Sequence, residues 1–358
     1  VRINYVMEFG NYGYREERTG AGWHIVRTNR SQNRQRKHWH QNDPGVVPNL
    51  LYTGAGSPTG IAVYEGRLLP PVFQDQMIHC DAGPRVVRAY PVKPSGAGYK
   101  AEMLDLLRGE PDTSFRPADV AVAPDGMVYF SDITFSDQTR QADGSFHAGH
   151  IWMFNPNTGK TKIFRSPSGM SNGIKFDAKG NMVVCEGADY GGRRVTRTHM
   201  DTGQSFVIAA MFNQRRLNAP NDVTIDEKGR MYFSDPRYLG HESIEQPVMG
   251  VYRIDRDLSL HRIITDVSKP NGVCVSPDQK TLYVVCHNNG ATAAIPAIEN
   301  NDKPTPMKGN MQLLAYDLHD DGTATFRKKL VDYFPQDGPD GLCCDVKGNV
   351  YVAERDTT

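Results

Sequence analysis

A strand–turn–strand unit that recurs about every 50 residues constrains the fold of this 358-residue chain more than any other feature. Each copy opens with a small or polar residue, continues with Gly or Asp and an alternating apolar run, turns, and returns as a second apolar run. Such alternation is typical of strands, and a glycine in the turn suits a tight β-hairpin. The repeat predicts six hairpins, which open at Thr59, Ala118, Asn172, Asn221, Asn271 and Asp340.

Hairpins at this spacing, most of them followed by a weaker second hairpin, predict an all-β fold, a six-bladed β-propeller with about four strands per blade. The blades are expected to start near residues 57, 117, 171, 219, 269 and 338. Because only one hairpin of the last blade precedes Thr358, we expect a strand near Arg2–Glu8 to complete it and to remove an open sheet edge.

The chain is expected to form one domain over residues 1–358, with an N-terminal strand and an irregular excursion in residues 1–50. It starts at Val1 and stops directly after a strand-like run, so both ends are expected to be truncated. Its 41 basic and 41 acidic side chains cancel, which argues against a nucleic-acid partner bound across the whole surface. No apolar run of about 18 residues occurs, so no transmembrane segment is expected.

The opening residues of the hairpins should share one face, because the innermost strand of each blade lines the channel of a propeller. Three Asn and one Asp, at positions 172, 221, 271 and 340, then converge from four successive blades. A single Asn or Asp before a strand more often satisfies local backbone groups. Because all four residues occupy the same phase in successive blades, a shared binding site is favoured instead. Their oxygen ligands suit Ca²⁺, Mg²⁺ or Mn²⁺ rather than a thiolate-bound zinc.

A second set of acids stands 14 residues after the opening position in four copies, at Asp132, Glu186, Asp235 and Glu354. They are expected to form a wider ring outside the inner one. Glu186 and Asp235, with Tyr238 nearby, are candidate substrate-binding residues. A carboxylate that closes a hairpin also often caps backbone N–H groups, which is the structural alternative.

At these positions the sequence resembles the regucalcin/gluconolactonase family of six-bladed propellers. The resemblance covers roughly residues 168–358 and is carried by Ser171-Asn172-Gly173, Cys185-Glu186-Gly187, Pro220-Asn221-Asp222-Val223, Tyr232-Phe233-Ser234-Asp235-Pro236 with Tyr238, Pro270-Asn271-Gly272-Val273 and Pro339-Asp340-Gly341-Leu342. It implies a divalent metal on the propeller axis, which we expect to be Ca²⁺, with Mg²⁺, Mn²⁺ or Zn²⁺ as alternatives. It also implies hydrolysis of sugar lactones.

Carried over residue by residue, the resemblance makes Asn221, Asn271 and Asp340 metal ligands. Asp340 is also the candidate catalytic base, and Asn172 is expected beside the substrate. One position departs from the family, whose members usually supply a glutamate ligand from the blade two before the Asn-Asp-Val blade. Here that position holds Ala118, so the site has one carboxylate rather than two and is weakened. The neighbouring Asp119 should point in another direction, because side chains alternate along a strand.

The N-terminal part, roughly residues 5–133, carries the stretches Gly56-Ser57-Pro58-Thr59-Gly60, His79-Cys80-Asp81-Ala82-Gly83 and Arg116-Pro117-Ala118-Asp119-Val120. These resemble membrane-bound-dehydrogenase-type propellers, relatives of quinone-dependent glucose and sorbosone dehydrogenases, and imply an exported, periplasmic protein. The first hypothesis is therefore a metal-dependent hydrolase acting on a small-molecule lactone or sugar acid. The alternatives are a quinone-dependent sugar dehydrogenase-like oxidoreductase and a non-catalytic binding propeller.

Overall fold

The structure, a computed structural model, describes residues 2–5, 45–53, 56–96, 98–109, 115–133, 142–290, 309–334 and 338–354. Most of the irregular excursion predicted within residues 1–50 lies outside these ranges. In the described residues, helical structure is limited to one 3-10 turn at Pro71–Phe73, so the predicted all-β class is confirmed. None of the helical structure in these ranges has the length and apolar character needed to cross a membrane.

The strands follow one another at short intervals along the chain. In chain order they are β1 (Arg2–Tyr5), β2 (Leu51–Tyr52), β3 (Pro58–Tyr64), β4 (Gln76–Asp81), β5 (Val86–Tyr90), β6 (Val92–Ser95), β7 (Gly98–Ala101), β8 (Leu104–Arg108), β9 (Pro117–Val122), β10 (Val128–Asp132), β11 (His150–Asn155), β12 (Lys160–Arg165), β13 (Ser171–Phe176), β14 (Met182–Glu186), β15 (Arg194–Thr198), β16 (Ser205–Ala209), β17 (Met211–Phe212), β18 (Arg215–Arg216), β19 (Val223–Ile225), β20 (Met231–Ser234), β21 (Val251–Ile254), β22 (Leu260–Ile264), β23 (Pro270–Val275), β24 (Thr281–His287), β25 (Met311–Leu318), β26 (Ala324–Asp332), β27 (Pro339–Cys344) and β28 (Val350–Glu354).

Within the described ranges, these strands form six four-stranded antiparallel sheets and two two-stranded ribbons, β6–β7 and β17–β18. Written from one edge strand to the other, the sheets are β3-β4-β5-β8, β9-β10-β11-β12, β13-β14-β15-β16, β19-β20-β21-β22, β23-β24-β25-β26 and β27-β28-β1-β2. The N-terminal strand β1 pairs with β28, so it joins the sheet that the C-terminal hairpin begins, as expected.

The first strands of the sheets form a ring. Strands β3, β9, β13, β19, β23 and β27 contact one another in that order, and β27 also contacts β3. A ring of sheets whose first strands surround a common axis is a propeller, so the propeller fold predicted from the repeat is confirmed. The hairpin-opening positions lie on these strands or just before them.

The local sequence explains each hairpin, as the one formed by β19 and β20 shows. Val223 lies opposite Phe233, and the chain reverses at Gly229, whose φ of +77° is strained for a residue with a side chain. The Gly229 N–H donates to the carbonyl of Asp226 at 2.9 Å. The Asp226 carboxylate in turn accepts the N–H of Arg230 at 2.8 Å, which fixes the turn.

Neighbouring sheets are joined near the axis by the residue after the opening position. Asp119 Oδ2 accepts the N–H of Ile174 at 2.8 Å, and Asp222 Oδ2 accepts that of Val273 at 2.9 Å. Glycine is required at position 173, where the two sheets approach each other, because a Cβ there would lie 2.7 Å from Cα of Asp222. The carboxylates at this second position therefore hold neighbouring sheets together.

The apolar core lies between adjacent sheets rather than on the axis. One cluster, for example, joins β14–β16 to β19–β21 and contains Val183, Cys185, Val195, Val223, Phe233 and Tyr252. Burial of this apolar surface drives the sheets together. It also leaves the axis to polar side chains, which is what the candidate site requires.

Candidate functional site

A cavity of about 450 Å³ lies at the end of the channel where the innermost strands begin. All six opening residues line it, namely Thr59, Ala118, Asn172, Asn221, Asn271 and Asp340. Tyr238 lines it as well, so the structure brings five of the seven predicted site residues to one cavity. Further lining residues include Ser57, Arg116, Met170, His287 and Asn289.

The side-chain amides of Asn172 and Asn221 have free hydrogen-bonding capacity, and that of Asn271 has part of it. In the described part of the chain, no hydrogen bond reaches the side-chain amide of Asn172 or Asn221. The amide of Asn271 donates from Nδ2 to the hydroxyl of Tyr238 at 3.2 Å. That bond occupies the nitrogen and leaves Oδ1 of Asn271 as an acceptor or a metal ligand.

Tyr238 fixes the direction of this hydrogen bond. Its hydroxyl donates its one hydrogen to the carbonyl of His287 at 3.0 Å. In the bond with Asn271 the hydroxyl must therefore be the acceptor. Burial, with the Asp340 carboxylate nearby, raises the pKa of Tyr238 well above its usual value, so the phenol keeps its proton. The ammonium of Lys269 lies 4.7 Å from the centre of the Tyr238 ring, and burial lowers the pKa of that lysine to about 8. Tyr238 therefore orients Asn271 in addition to lining the cavity.

His287 is a cavity residue that the sequence analysis did not propose for the site. Its Nδ1 lies 3.0 Å from the carbonyl of Pro339 and 3.2 Å from that of Gly338, directly before Asp340. Because carbonyl oxygens only accept, Nδ1 carries the proton, and Nε2 of the neutral ring has a lone pair. No hydrogen bond from a described residue reaches Nε2, so it is available in the cavity.

The donor atoms fit a hard divalent cation. Asn221 and Asn271 offer neutral amide oxygens and Asp340 offers a carboxylate, which are ligands that Ca²⁺ and Mg²⁺ accept. Among the residues that the structure describes, no three His, Cys, Asp or Glu side chains cluster so as to hold a metal ion. Ala118 contributes only a methyl group to the cavity, so the predicted ligand set contains a single negative charge.

Charged side chains lie at the floor of the cavity. Lys175, Asp119 and Asp222 surround a void of about 20 Å³, which has room for about one water molecule. Burial raises the pKa of Asp222 to about 7, with a contribution from Asp119. Burial opposes the charge on Lys175, but the two carboxylates outweigh it and raise the pKa of the lysine. The single ammonium therefore offsets part of the negative charge of the two carboxylates beneath the predicted metal site.

Glu186 and Asp235 do not line this cavity, so their predicted contact with a substrate stays a prediction. Asp235 is fully buried and accepts the N–H groups of Asn218 and Ala219 at 2.9 and 2.8 Å. Glu186 is buried and ion-paired with Arg194, 2.8 Å away. Asp235 caps backbone N–H groups at the end of its hairpin, which is the structural alternative, whereas Glu186 accepts from the side chains of Arg194 and Thr196. Asp235 thereby fixes the segment that leads into Asn221 and acts as a positioning residue.

Asp235 also makes the stability of the fold depend on pH. Burial raises its pKa from 3.8 to about 7, against the opposing effect of the two backbone N–H groups. Between about pH 4 and pH 7 the unfolded chain has lost this proton while the folded chain keeps it. The free energy of unfolding should therefore fall as pH rises through this window, by about 4 kcal/mol for this one group, and then level off.

We expect Asp235→Asn, which cannot ionise, to flatten that decrease in denaturant unfolding curves measured from pH 5 to pH 8. Asp320→Asn, at an exposed aspartate, is the matched control and should keep the wild-type slope. Parallel pH profiles for wild type and Asp235→Asn would show that this carboxyl does not titrate in the window.

Two family models match the chain. The SMP-30/Gluconolactonase/LRE-like region matches residues 147–357, more than half of the 358 residues. A domain of unknown function, DUF7133, matches residues 24–135. The second match names no activity, so the N-terminal resemblance to dehydrogenase-type propellers stays a prediction.

Curated relatives and solved structures agree with the first match. A gluconolactonase of Zymomonas mobilis is 31% identical over 202 residues, which are 53% of this chain and 50% of that protein. A lactonase drp35 of Staphylococcus aureus is 29% identical over 213 residues, 57% of each chain. The chain thus spans about half the length of the curated relatives it matches.

A solved gluconolactonase from Xanthomonas campestris superposes with a TM-score of 0.53 at 21% identity, over 85% of this chain and 82% of that one. At this identity the superposition supports the propeller fold alone. The match over residues 147–357 carries the assignment, and the chain belongs to the SMP-30/gluconolactonase/LRE-like family.

Proposed function

We propose that this protein is a metal-dependent hydrolase of sugar lactones that acts in the central cavity. The observation that carries the proposal is the placement of Asn172, Asn221, Asn271 and Asp340 on one cavity in a chain of this family. The relatives named above are lactonases, which supports the choice of a cyclic ester as substrate. We further propose that the six four-stranded sheets are the six blades of a closed propeller, which their ring of contacts supports.

A divalent cation, most simply Ca²⁺, would be held by Asn221, Asn271 and Asp340. When bound, it would polarise the lactone carbonyl and lower the pKa of a bound water. Tyr238 keeps the Oδ1 atom of Asn271 available, and Asn172 supplies a further amide for the hydroxyl groups of the sugar. Tyr238, Asn271 and Asn172 bind and orient, and none of these three exchanges a proton.

Ring opening of a lactone by water needs two proton transfers, one from the attacking water and one to the ring oxygen that leaves. The Asp340 carboxylate accepts the first proton as general base. Nε2 of His287, which has a lone pair in the same cavity, first takes up a proton from solvent and then donates it to the ring oxygen, while the proton accepted by Asp340 returns to solvent. The C–O bond of the ring breaks, and the product is the open hydroxy acid.

Ala118→Glu should tighten the binding of Ca²⁺, by about tenfold or more. The variant replaces the methyl group of Ala118 in the cavity with a second carboxylate. The affinity of Ca²⁺ sites rises with the negative charge of their ligands. Isothermal titration of Ca²⁺ into chelator-treated protein measures the effect. Ala118→Gln, similar in size but uncharged, is the control, and equal affinities for the two variants would remove position 118 from the metal site.

The proposed activity is tested by following acid release from D-glucono-δ-lactone, with a simple linear ester for comparison. We expect rates above the spontaneous hydrolysis for the lactone and little turnover of the ester. Reduction of a dye in the presence of glucose and an added quinone cofactor instead would support the dehydrogenase alternative. Neither activity in protein that binds Ca²⁺ would favour a non-catalytic propeller.

A further inference from the structure

A second concavity lies outside the central cavity and shares no lining residue with it. It measures about 520 Å³ and is formed by the end of β12, by strands β14 to β16 and by the loop between β14 and β15. Three arginines line it, and we name it the arginine pocket. Its polar and aromatic lining consists of Arg165, Arg194, Arg216, Glu186, Ser168, Ser205, Thr196 and Tyr190.

The lining of the arginine pocket carries an excess of positive charge. Three guanidinium groups face a single carboxylate, Glu186, which gives a formal charge of three minus one, or +2. Glu186 is already shared, because it lies 3.3 Å from Arg165 and 2.8 Å from Arg194 and accepts the hydroxyl of Thr196 at 3.0 Å. The carboxylate therefore leaves two positive charges without a counterion among the lining residues.

The arginines also have donors to spare. Arg194 uses only Nε in its contact with Glu186, its side chain is 42% exposed, and no described residue bonds to its two terminal nitrogens. Arg216 uses one terminal nitrogen, which donates to the carbonyl of Gly192 at 3.2 Å. Arg165 has a buried Nε without a partner among the described residues. A guanidinium anchored at Nε presents its terminal nitrogens as a fork, which matches the oxygens of a carboxylate or phosphate.

An aromatic ring stands beside these donors. Tyr190 lines the pocket and is 50% exposed. It contacts Phe146 and His241, with ring centres 4.4 and 4.3 Å apart, and its N–H donates to Glu242 at 2.8 Å. Its φ of +64° is strained for a residue with a side chain, so these contacts hold it in place. An exposed ring next to oxyanion donors suits a ligand with both an anionic group and an apolar face, as sugar derivatives have.

We propose that the arginine pocket binds a small polyhydroxy anion through its carboxylate or phosphate group, separately from the central cavity. The bidentate fork of Arg194 and the free nitrogens of Arg216 hold the oxyanion, and Glu186 orients Arg194. Tyr190 packs against the carbon skeleton of the ligand.

Isothermal titration on the chelator-treated protein tests this proposal with D-gluconate for the carboxylate, glucose 6-phosphate for the phosphate and glucose as the uncharged control. We expect at least one of the two anions to bind and glucose to release no heat. Arg194→Gln and Arg216→Gln should each lower the affinity for the anion by about tenfold or more, because each removes a charge-assisted hydrogen bond. Arg215→Gln, the adjacent exposed arginine outside the pocket, is the matched control and should bind as wild type does.

Two further variants locate the ligand. Asn221→Ala alters the central cavity and should leave anion binding unchanged. If Arg194→Gln fails to fold, Arg216→Gln carries the test, since its side chain makes only one hydrogen bond to the described chain. Absence of binding up to about 10 mM of either anion, or loss of binding in Asn221→Ala but not in the arginine variants, would overturn the proposal.

Discussion

Asp340→Asn should reduce kcat/KM for glucono-δ-lactone by about 10³-fold or more, the largest effect we expect from a single substitution. Asp340 is the carboxylate among the six opening residues, so it supplies the negative charge of the proposed ligand set. Asparagine keeps the shape and one oxygen, but it has no charge to bind a cation and no basicity to accept a proton. The same variant should therefore lose measurable Ca²⁺ binding in the titration.

Asp320→Asn is the matched control for this prediction, because Asp320 is an exposed aspartate whose hydrogen bonds, within the described ranges, are with Lys228 and Arg230. It should retain wild-type rates. A folded Asp340→Asn protein that hydrolyses the lactone at the wild-type rate would mean that neither the metal nor the base acts through this residue.

His287→Gln should lower kcat by about 10²-fold with little change in KM, the second largest effect. Glutamine has about the length of histidine and can still donate to the carbonyls of Pro339 and Gly338, so the local backbone should persist. It cannot carry a proton, because an amide is not basic at neutral pH. The measurement is steady-state kinetics with the lactone, and the thermal unfolding midpoint shows whether the variant is folded.

Asn289→Ala is the control for His287, since Asn289 lines the same cavity and cannot carry a proton. Its substitution should affect KM more than kcat. Equal kcat values for His287→Gln and wild type would mean that His287 does not supply the proton to the ring oxygen.

The inner ring was predictable from the sequence because a propeller repeats its geometry. Once the phase of the repeat is known, residues as far apart as Asn172 and Asp340 must occupy equivalent places on the innermost strands. The resemblance to the family then assigned their roles. Asp119 could be excluded by strand alternation alone, and it does bond to the neighbouring sheet rather than line the cavity.

The outer acids were not predictable in the same way. Spacing places Glu186 and Asp235 at the end of a hairpin, but it does not show which unsatisfied groups surround them. In the structure the backbone N–H groups of Asn218 and Ala219 require an acceptor, and Asp235 supplies it. A buried donor without a partner costs about 1–3 kcal/mol. The Asp235 carboxylate is therefore more stable when bonded to these N–H groups than when directed into the cavity.

His287 occupies a regular position of the repeat. It follows Cys286, which stands where other hairpins have an acid, and the residues after those acids, Ala82, Ile133 and Gly187, line the cavity as well. A histidine at that position was the available signal. The arginine pocket depends on the positive φ angles of Asp189, Tyr190 and Arg193 in the loop after β14, which periodicity does not encode.

The most direct test of the account is the rate of glucono-δ-lactone hydrolysis by the wild-type protein before chelation, after removal of divalent metal, and after Ca²⁺ is returned. We predict that chelation reduces the rate to that of spontaneous hydrolysis and that Ca²⁺, or another hard divalent cation, restores it. A rate above the spontaneous one that metal removal leaves unchanged would contradict a metal-dependent site at Asn221, Asn271 and Asp340.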